Sequence, residues 1–239
     1  MREMDFRRRY GVSVSDEELQ ELRRRTKINL LGAGRGRAEQ LAVNLARMPY
    51  PLSLLYLEVL LPALDALTTE EEQGKRPFRQ LQAAWEVTFA MAPFLYQRRS
   101  ARFRFTGPPI VIGGVEGNQH LFAPNLVADL LREAHYPVTI LNPINDQRAL
   151  LDTLAVVAPV CVGLSISLSE QYDNLLETVR LLRAEGYRGL IAAGGNPFAG
   201  QQPDGWREAG IAWLGSDIME FITWLNRQRE QSGSTARAA

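Results

Sequence analysis

The 239-residue chain has one cysteine, Cys161, and only two histidines, His120 and His135. A single cysteine excludes an intrachain disulfide and any multi-cysteine zinc site. An excess of either charge is also missing, since 27 Lys+Arg face 27 Asp+Glu. No global basic field therefore draws in nucleic acid, and direct binding to it is not expected. The longest apolar stretch, 52–67, contains Pro62 and Asp65 and follows Pro51, which breaks it short of the ~20 residues of a membrane span. The opening MREMDFRRRYGV lacks the apolar core of a signal peptide. A dinucleotide fingerprint is incomplete as well. In INLLGAGRGRA (28–38) the third glycine position holds Arg37, and no strand ending in an acidic residue follows about 20 residues on. A connection between helices is the plainer reading. These exclusions leave a soluble cytoplasmic protein as the expectation, with no membrane partner.

What is present reads as globular. Hydrophobic residues make up 46% and charged residues 23%, ordinary values for a folded chain. The length allows one large domain or two small ones, and the pattern changes near residue 100. Upstream it is helical. Residues 16–26 open on an acidic turn that suits a helix dipole, and 38–47 form a second helix. Residues 52–67 are apolar almost all round, as in a bundle interior, with Pro62 expected to kink or end the helix. Phe78, Leu81, Trp85 and Phe89 recur at three and four and predict one face of a further helix. Residues 1–100 read as a helical bundle or cap, and 98–108 as a basic linker.

Downstream, strands at 109–115, 137–141, 160–166, 189–193 and 211–215 alternate with helices at 124–135, 146–158, 170–185 and 217–228. That alternation predicts an α/β domain over 101–228, a doubly wound five-stranded parallel sheet of flavodoxin-like or Rossmann-like type. The tail from 229 to 239 reads as disordered.

In such a sheet, ligands sit beyond the carboxyl ends of the strands, where the strand order reverses. EGNQHLFAP (116–124) follows the first strand and holds His120. SISLS (165–169) ends the third strand, and GGNPF (194–198) follows the fourth. A histidine, small hydroxyls and a glycine pair thus gather at one edge, where a bulky ligand can approach backbone. Taken singly, the glycine pair is also compatible with a simple turn. His135 reads as structural. The arginines at 7–9 and 23–25 read as solvated faces or as a contact for a partner or nucleic acid.

This arrangement resembles the cobalamin-binding domain of methionine synthase and its relatives. That family carries Asp-x-His-x-x-Gly after strand one, a serine element after strand three and Gly-Gly after strand four. The matching residues are Asn118-Gln119-His120-Leu121-Phe122-Ala123, then Ser165, Ser167 and Ser169, then Gly194, Gly195 and the following Asn196. The resemblance implies a cobalamin cofactor, adenosyl- or methylcobalamin, with its lower nucleotide displaced. It implies His120 as the lower axial ligand of cobalt, and a nucleotide tail lodged beside Ser165, Ser169, Gly194 and Gly195. The bundle would cover the upper face, with Trp85 and Phe89 on the helix expected to face the corrin.

The chain departs from the motif at Asn118, where the family has Asp, and at Ala123, where it has Gly. An amide accepts a hydrogen bond from an imidazole but cannot take its proton, and a carboxylate behind a metal-binding histidine matters roughly 10–100-fold. The departure favours a protein that holds the cofactor over one that cycles it, and the expectation is a binding or sensor protein, not an enzyme. Three functions follow. The first is a cobalamin-dependent sensor or transcriptional regulator, light-responsive in the manner of one branch of the family, acting through a protein partner or self-association. The second is a corrinoid protein carrying a methyl group for a methyltransferase system. The third places haem or another chromophore on the same scaffold.

Overall fold

The computed structural model describes residues 8–32, 35–101, 103–118, 122–141, 147–200 and 202–238. The chain divides into two compact units, Met1–Phe103 and Arg104–Ala239.

The first unit contains α1 (Asp16–Leu30), α2 (Arg35–Ala46), α3 (Leu52–Glu72) and α4 (Phe78–Ser100). Ser15 caps α1, its hydroxyl accepting from the Glu18 N–H at 3.2 Å, and three acidic residues fill the first turn. The glycines after Leu30 therefore follow a helix, not a strand. α3 has the length and hydropathy of a membrane span. Its apolar residues Leu52, Leu54, Leu55, Leu60, Leu64 and Leu67 are nevertheless buried inside the unit, as a core helix requires. Pro62 does not end α3. A π turn over Leu55–Leu60 precedes it, and the helix continues to Glu72. Proline has no N–H for the carbonyl four residues back. That carbonyl, Glu58, instead accepts from Arg23 Nε, while Arg23 Nη2 holds the Glu58 carboxylate at 3.0 Å.

On α4 the expected stripe is displaced. The buried face is Leu81, Ala84, Thr88, Met91 and Leu95, whereas Phe78 and Phe89 are 64% and 48% exposed. Leu81 belongs to both sets, and spacings of three and four fit more than one face when apolar residues are this frequent. α4 also runs on to Ser100, into the segment that reads as a linker. There Arg99 is buried, and its Nη2 donates to the Met48 and Tyr50 carbonyls at 2.7 and 2.8 Å, satisfying the chain just beyond α2.

The second unit is a five-stranded parallel sheet: β1 (Ile110–Gly114), β2 (Val138–Leu141), β3 (Cys161–Ser165), β4 (Leu190–Gly194) and β5 (Trp213–Gly215). The strand order is β2-β1-β3-β4-β5, the flavodoxin-like order with its reversal between β1 and β3. Between the strands run α5 (Phe122–Glu133), α6 (Gln147–Val157) and α7 (Tyr172–Ala184), and α8 (Ile218–Ala238) follows β5. α8 continues through the segment that reads as a disordered tail. Arg227 to Gln231 are helix formers without a proline.

Alternation along the strands gives the sheet two different faces. Val111, Val162, Leu164, Ile191, Ala193 and Leu214 pack with Leu150 of α6 and with Leu175, Val179 and Leu182 of α7. The opposite face carries α8, since Phe221 lies against Trp213 with ring centroids 4.8 Å apart. Right-handed crossovers place α5 on that same face. Tyr136, just after α5, joins the two helices by donating to Asn226 Oδ1 at 2.8 Å.

Candidate functional site

The strand ends on the α5/α8 face are nearly bare of side chains. Gly114 pairs with Ser165, Ser165 with Gly194, and Gly194 with Gly215. The last row of four adjacent strands is therefore Gly-Ser-Gly-Gly. One row deeper on the same face come Ile112, Gly163, Ala192 and Trp213, and Ile112 leans over Gly163. The result is a shallow trough at the carboxyl edge, floored by backbone and lined by small residues, at the place where this fold takes ligands.

Two loops frame the trough, held together by side-chain amides. Asn118, 0% exposed, follows a turn at Gly117 that needs a positive φ of 79°. Asn118 Nδ2 donates to the Ser165 carbonyl at 2.9 Å, and the Ser167 hydroxyl donates to Asn118 Oδ1 at 3.0 Å. Because a carbonyl can only accept, this pairing fixes the orientation of the amide. A carboxylate at 118 would set oxygen against oxygen, so the departure from Asp has a local cause in the Ser165 carbonyl.

Gln171 completes the lacing. Its Oε1 accepts from the Ser167 and Leu168 N–H groups at 2.8 and 3.1 Å, and its Nε2 donates to the Gly117 carbonyl at 2.8 Å. Asn174 Nδ2 adds a bond to the Glu116 carbonyl at 2.9 Å. Neither Gln171 nor Asn174 stands out in the sequence, although an amide three residues after Leu168 has the spacing of a capping box. Among the described residues of these loops the ionisable side chains are Glu116 and Glu170, both exposed. The side chains that lace the loops together, Asn118, Ser167, Gln171 and Asn174, are all uncharged. Cys161, at the start of β3, is fully buried, and burial pushes its thiol up to about 12, so it offers no thiolate.

The glycine pair is not interchangeable. Gly195, at φ 149° and ψ 166°, lies in a region essentially reserved for glycine, and a Cβ there would overlap the Ile166 carbonyl oxygen. Gly194 has ordinary room, with the Gly215 oxygen 3.5 Å and the Trp213 ring 3.8 Å from an added Cβ.

Of the residues singled out from sequence, Asn118, Ser165, Ser167, Gly194 and Gly195 come together at this edge. Ser169 is exposed and opens a short turn, Ser169–Gln171, outside the strand row. Asn196 is exposed at the start of another short turn. Phe122 begins α5 half-buried, and Ala123 is exposed. Trp85 and Phe89 belong to the helical unit, where their rings stand 6.0 Å apart. Gln119, His120 and Leu121 lie outside the described residues.

Residues 108–217 match the model of the B12 binding domain.

These residues form a B12 binding domain, and its cofactor is cobalamin. The match sets aside the haem alternative. It runs from the linker before β1 to the residue before α8, so it includes all three loops and the whole glycine row. The arrangement suits the cofactor. A tail entering at the sheet edge needs a floor without side chains, which the Gly-Ser-Gly-Gly row supplies. No curated protein matches the chain. Among solved structures, the Methanosarcina barkeri monomethylamine corrinoid protein aligns over 85% of this chain and 96% of its own, at 14% identity and a TM-score of 0.67. A cobalamin-binding protein from Desulfitobacterium hafniense aligns over 90% and 98%, at 19% identity and a TM-score of 0.46. A methanol:cobalamin methyltransferase complex from Methanosarcina barkeri aligns over 92% and 86%, at 15% identity and a TM-score of 0.49.

Proposed function

We propose that the chain is a corrinoid protein that holds cobalamin with its nucleotide displaced and presents it, methylated, to a methyltransferase partner. The observation that carries this is the combination of a B12 binding domain with a fold that follows a methylamine corrinoid protein over nearly its whole length. Bound cobalamin supplies the cobalt that accepts and releases the methyl group. His120 is the lower axial ligand in this reading, and its imidazole must be neutral to coordinate. Asn118 stands behind it as a neutral acceptor, held by Ser165 and Ser167. Ser165, Gly194 and Gly195 seat the nucleotide.

A second reading is favoured by Asn118 alone. A neutral amide cannot share a proton with the histidine, which suits a sensor that binds the cofactor once and signals through changed contacts with a partner or a second copy. Reconstitution separates the readings. The chain is loaded with methyl-, adenosyl- and hydroxocobalamin, and spectra and oligomer mass are recorded in darkness and light. A carrier loses its methyl group to a thiol or amine only when a methyltransferase is added, with its mass unchanged by light. A sensor changes mass with the upper ligand. His120→Ala should move the visible bands to those of a ligand-off corrinoid. No bound corrinoid in any arm overturns both readings.

A further inference from the structure

The trough has one large side chain at its rim. β5 is an edge strand of three residues, and Trp213 projects to the same face as the glycine row. The benzo edge of its indole lies 2.9 and 3.0 Å from where a Gly215 Cβ would stand, and 3.8 Å from that of Gly194. The ring therefore leans over both glycines. Phe221 supports it from behind with ring centroids 4.8 Å apart, and Trp224 stacks on Phe221 at 5.9 Å and 20°. Trp213 remains partly exposed. A residue present only to fill the core would be served by its contact with Phe221. Here the ring also borders a floor of backbone, opposite the α5 side of the trough.

We infer that Trp213 is the aromatic wall against which the lower base of the corrinoid packs, so that the chain selects corrinoids bearing a planar bicyclic base over those without one. The inference rests on the nucleotide seat proposed above and names its specificity residue. A flat heteroaromatic base entering over Ser165 and Gly194 meets the indole as a π surface, while a corrinoid lacking the nucleotide leaves it uncovered. Stacking of a base on an aromatic side chain changes affinity by roughly tenfold.

The test titrates the full chain with hydroxocobalamin and with cobinamide, which has the same ring and no nucleotide, following the corrinoid absorption. Wild type should bind cobalamin more tightly. Trp213→Ala should weaken cobalamin about tenfold and leave cobinamide unchanged, and Trp213→Phe should restore most of the difference. Equal losses for both ligands, no loss, or equal wild-type affinities would overturn the assignment while corrinoid binding itself stands. Absence of any binding to wild type overturns the reading on which it rests. Thermal unfolding of both variants checks that the sheet unit is intact.

Discussion

The adjacent glycines 194 and 195 should respond to the same added methyl group in opposite ways. For Gly195→Ala, the backbone sits at φ 149° and ψ 166°, a conformation that costs another residue about 1–3 kcal/mol. The new Cβ also overlaps the Ile166 carbonyl oxygen. That oxygen cannot swing aside freely, because its peptide plane is pinned by the Ser167 N–H, which donates to Gln171 Oε1 at 2.8 Å. Relieving such overpacking costs a further 1–3 kcal/mol or so. The sum, about 4 kcal/mol, is a large part of the roughly 5–15 kcal/mol that holds a domain together. Gly194→Ala meets only ordinary contacts at 3.5 and 3.8 Å. Replacing a strand glycine reduces the entropy lost on folding, so it should be neutral or stabilising by about 0.5–1 kcal/mol. Its methyl group, however, stands in the trough and should weaken cobalamin about fivefold if displacing it costs even the low end, about 1 kcal/mol, of an overpacking penalty.

Tryptophan fluorescence during thermal or urea unfolding reads this out. Trp206, Trp213 and Trp224 lie in the sheet unit and Trp85 in the helical one, so the signal follows mainly the sheet. Gly195→Ala should lower the midpoint by about 10 °C, and Gly194→Ala should leave it in place. Equal destabilisation by the two substitutions, or a Gly195→Ala protein as stable as wild type, would refute the reasoning. So would a Gly194→Ala protein with unchanged cobalamin affinity.

Other perturbations test the framing. Asn118→Asp should destabilise the sheet unit by about 1–3 kcal/mol at neutral pH, since a buried oxygen then faces the Ser165 carbonyl. Burial raises the carboxyl pKa above its unfolded value, so the loss should shrink as pH falls, which urea unfolding at pH 4 and 7 would show. Arg99→Met removes the donor from the Met48 and Tyr50 carbonyls and should cost the helical unit about 2–4 kcal/mol, read by circular dichroism melting. Lys27 and Arg76 hold the Glu70 carboxyl down to about 2. Its folded value is depressed, so the stabilisation is full above the ordinary value of 4.5 and is lost as pH falls toward 2. Screening at this partly exposed site limits it to about 1 kcal/mol or less. Glu70→Gln should flatten that acid limb and reduce the salt sensitivity of helical-unit stability.

The parallel sheet was legible because its strands are short apolar runs punctuated by glycine and proline, and because helices of opposite periodicity separate them. The trough was legible in part for the same reason: Ser165, Gly194 and Gly195 fall at strand ends, and strand ends are where this fold binds. Its frame was not. Gln171 matters through a bond across 54 residues to the Gly117 carbonyl, and no local pattern encodes that closure. Trp213 was legible only as an apolar strand residue, because its relation to Gly194 arises from strand register. In the helical unit, periodicity alone chose the wrong stripe on α4, since Phe78, Trp85 and Phe89 match the helical repeat as well as the buried set does. Partner helices decide which face is covered.

The same contrast bears on Asn118. Read against the family motif, it is a lost carboxylate. In the fold, the Ser165 carbonyl and the Ser167 hydroxyl require a group that donates on one side and accepts on the other, which Asn does and ionised Asp does not. The substitution is therefore coupled to the serine loop. Asp at 118 should become tolerable only when a second change lets the Ser165 carbonyl turn away or the carboxyl hold its proton. In the function proposed above, with His120 as axial ligand and an uncharged amide at position 118, the ligand's basicity is set by the imidazole itself, so coordination should follow the protonation of one group. Across about pH 5–8 the bound-state spectrum should then titrate as a single step with a midpoint at or below about 6.5. Two coupled steps would mean that a second ionisable group acts behind the histidine.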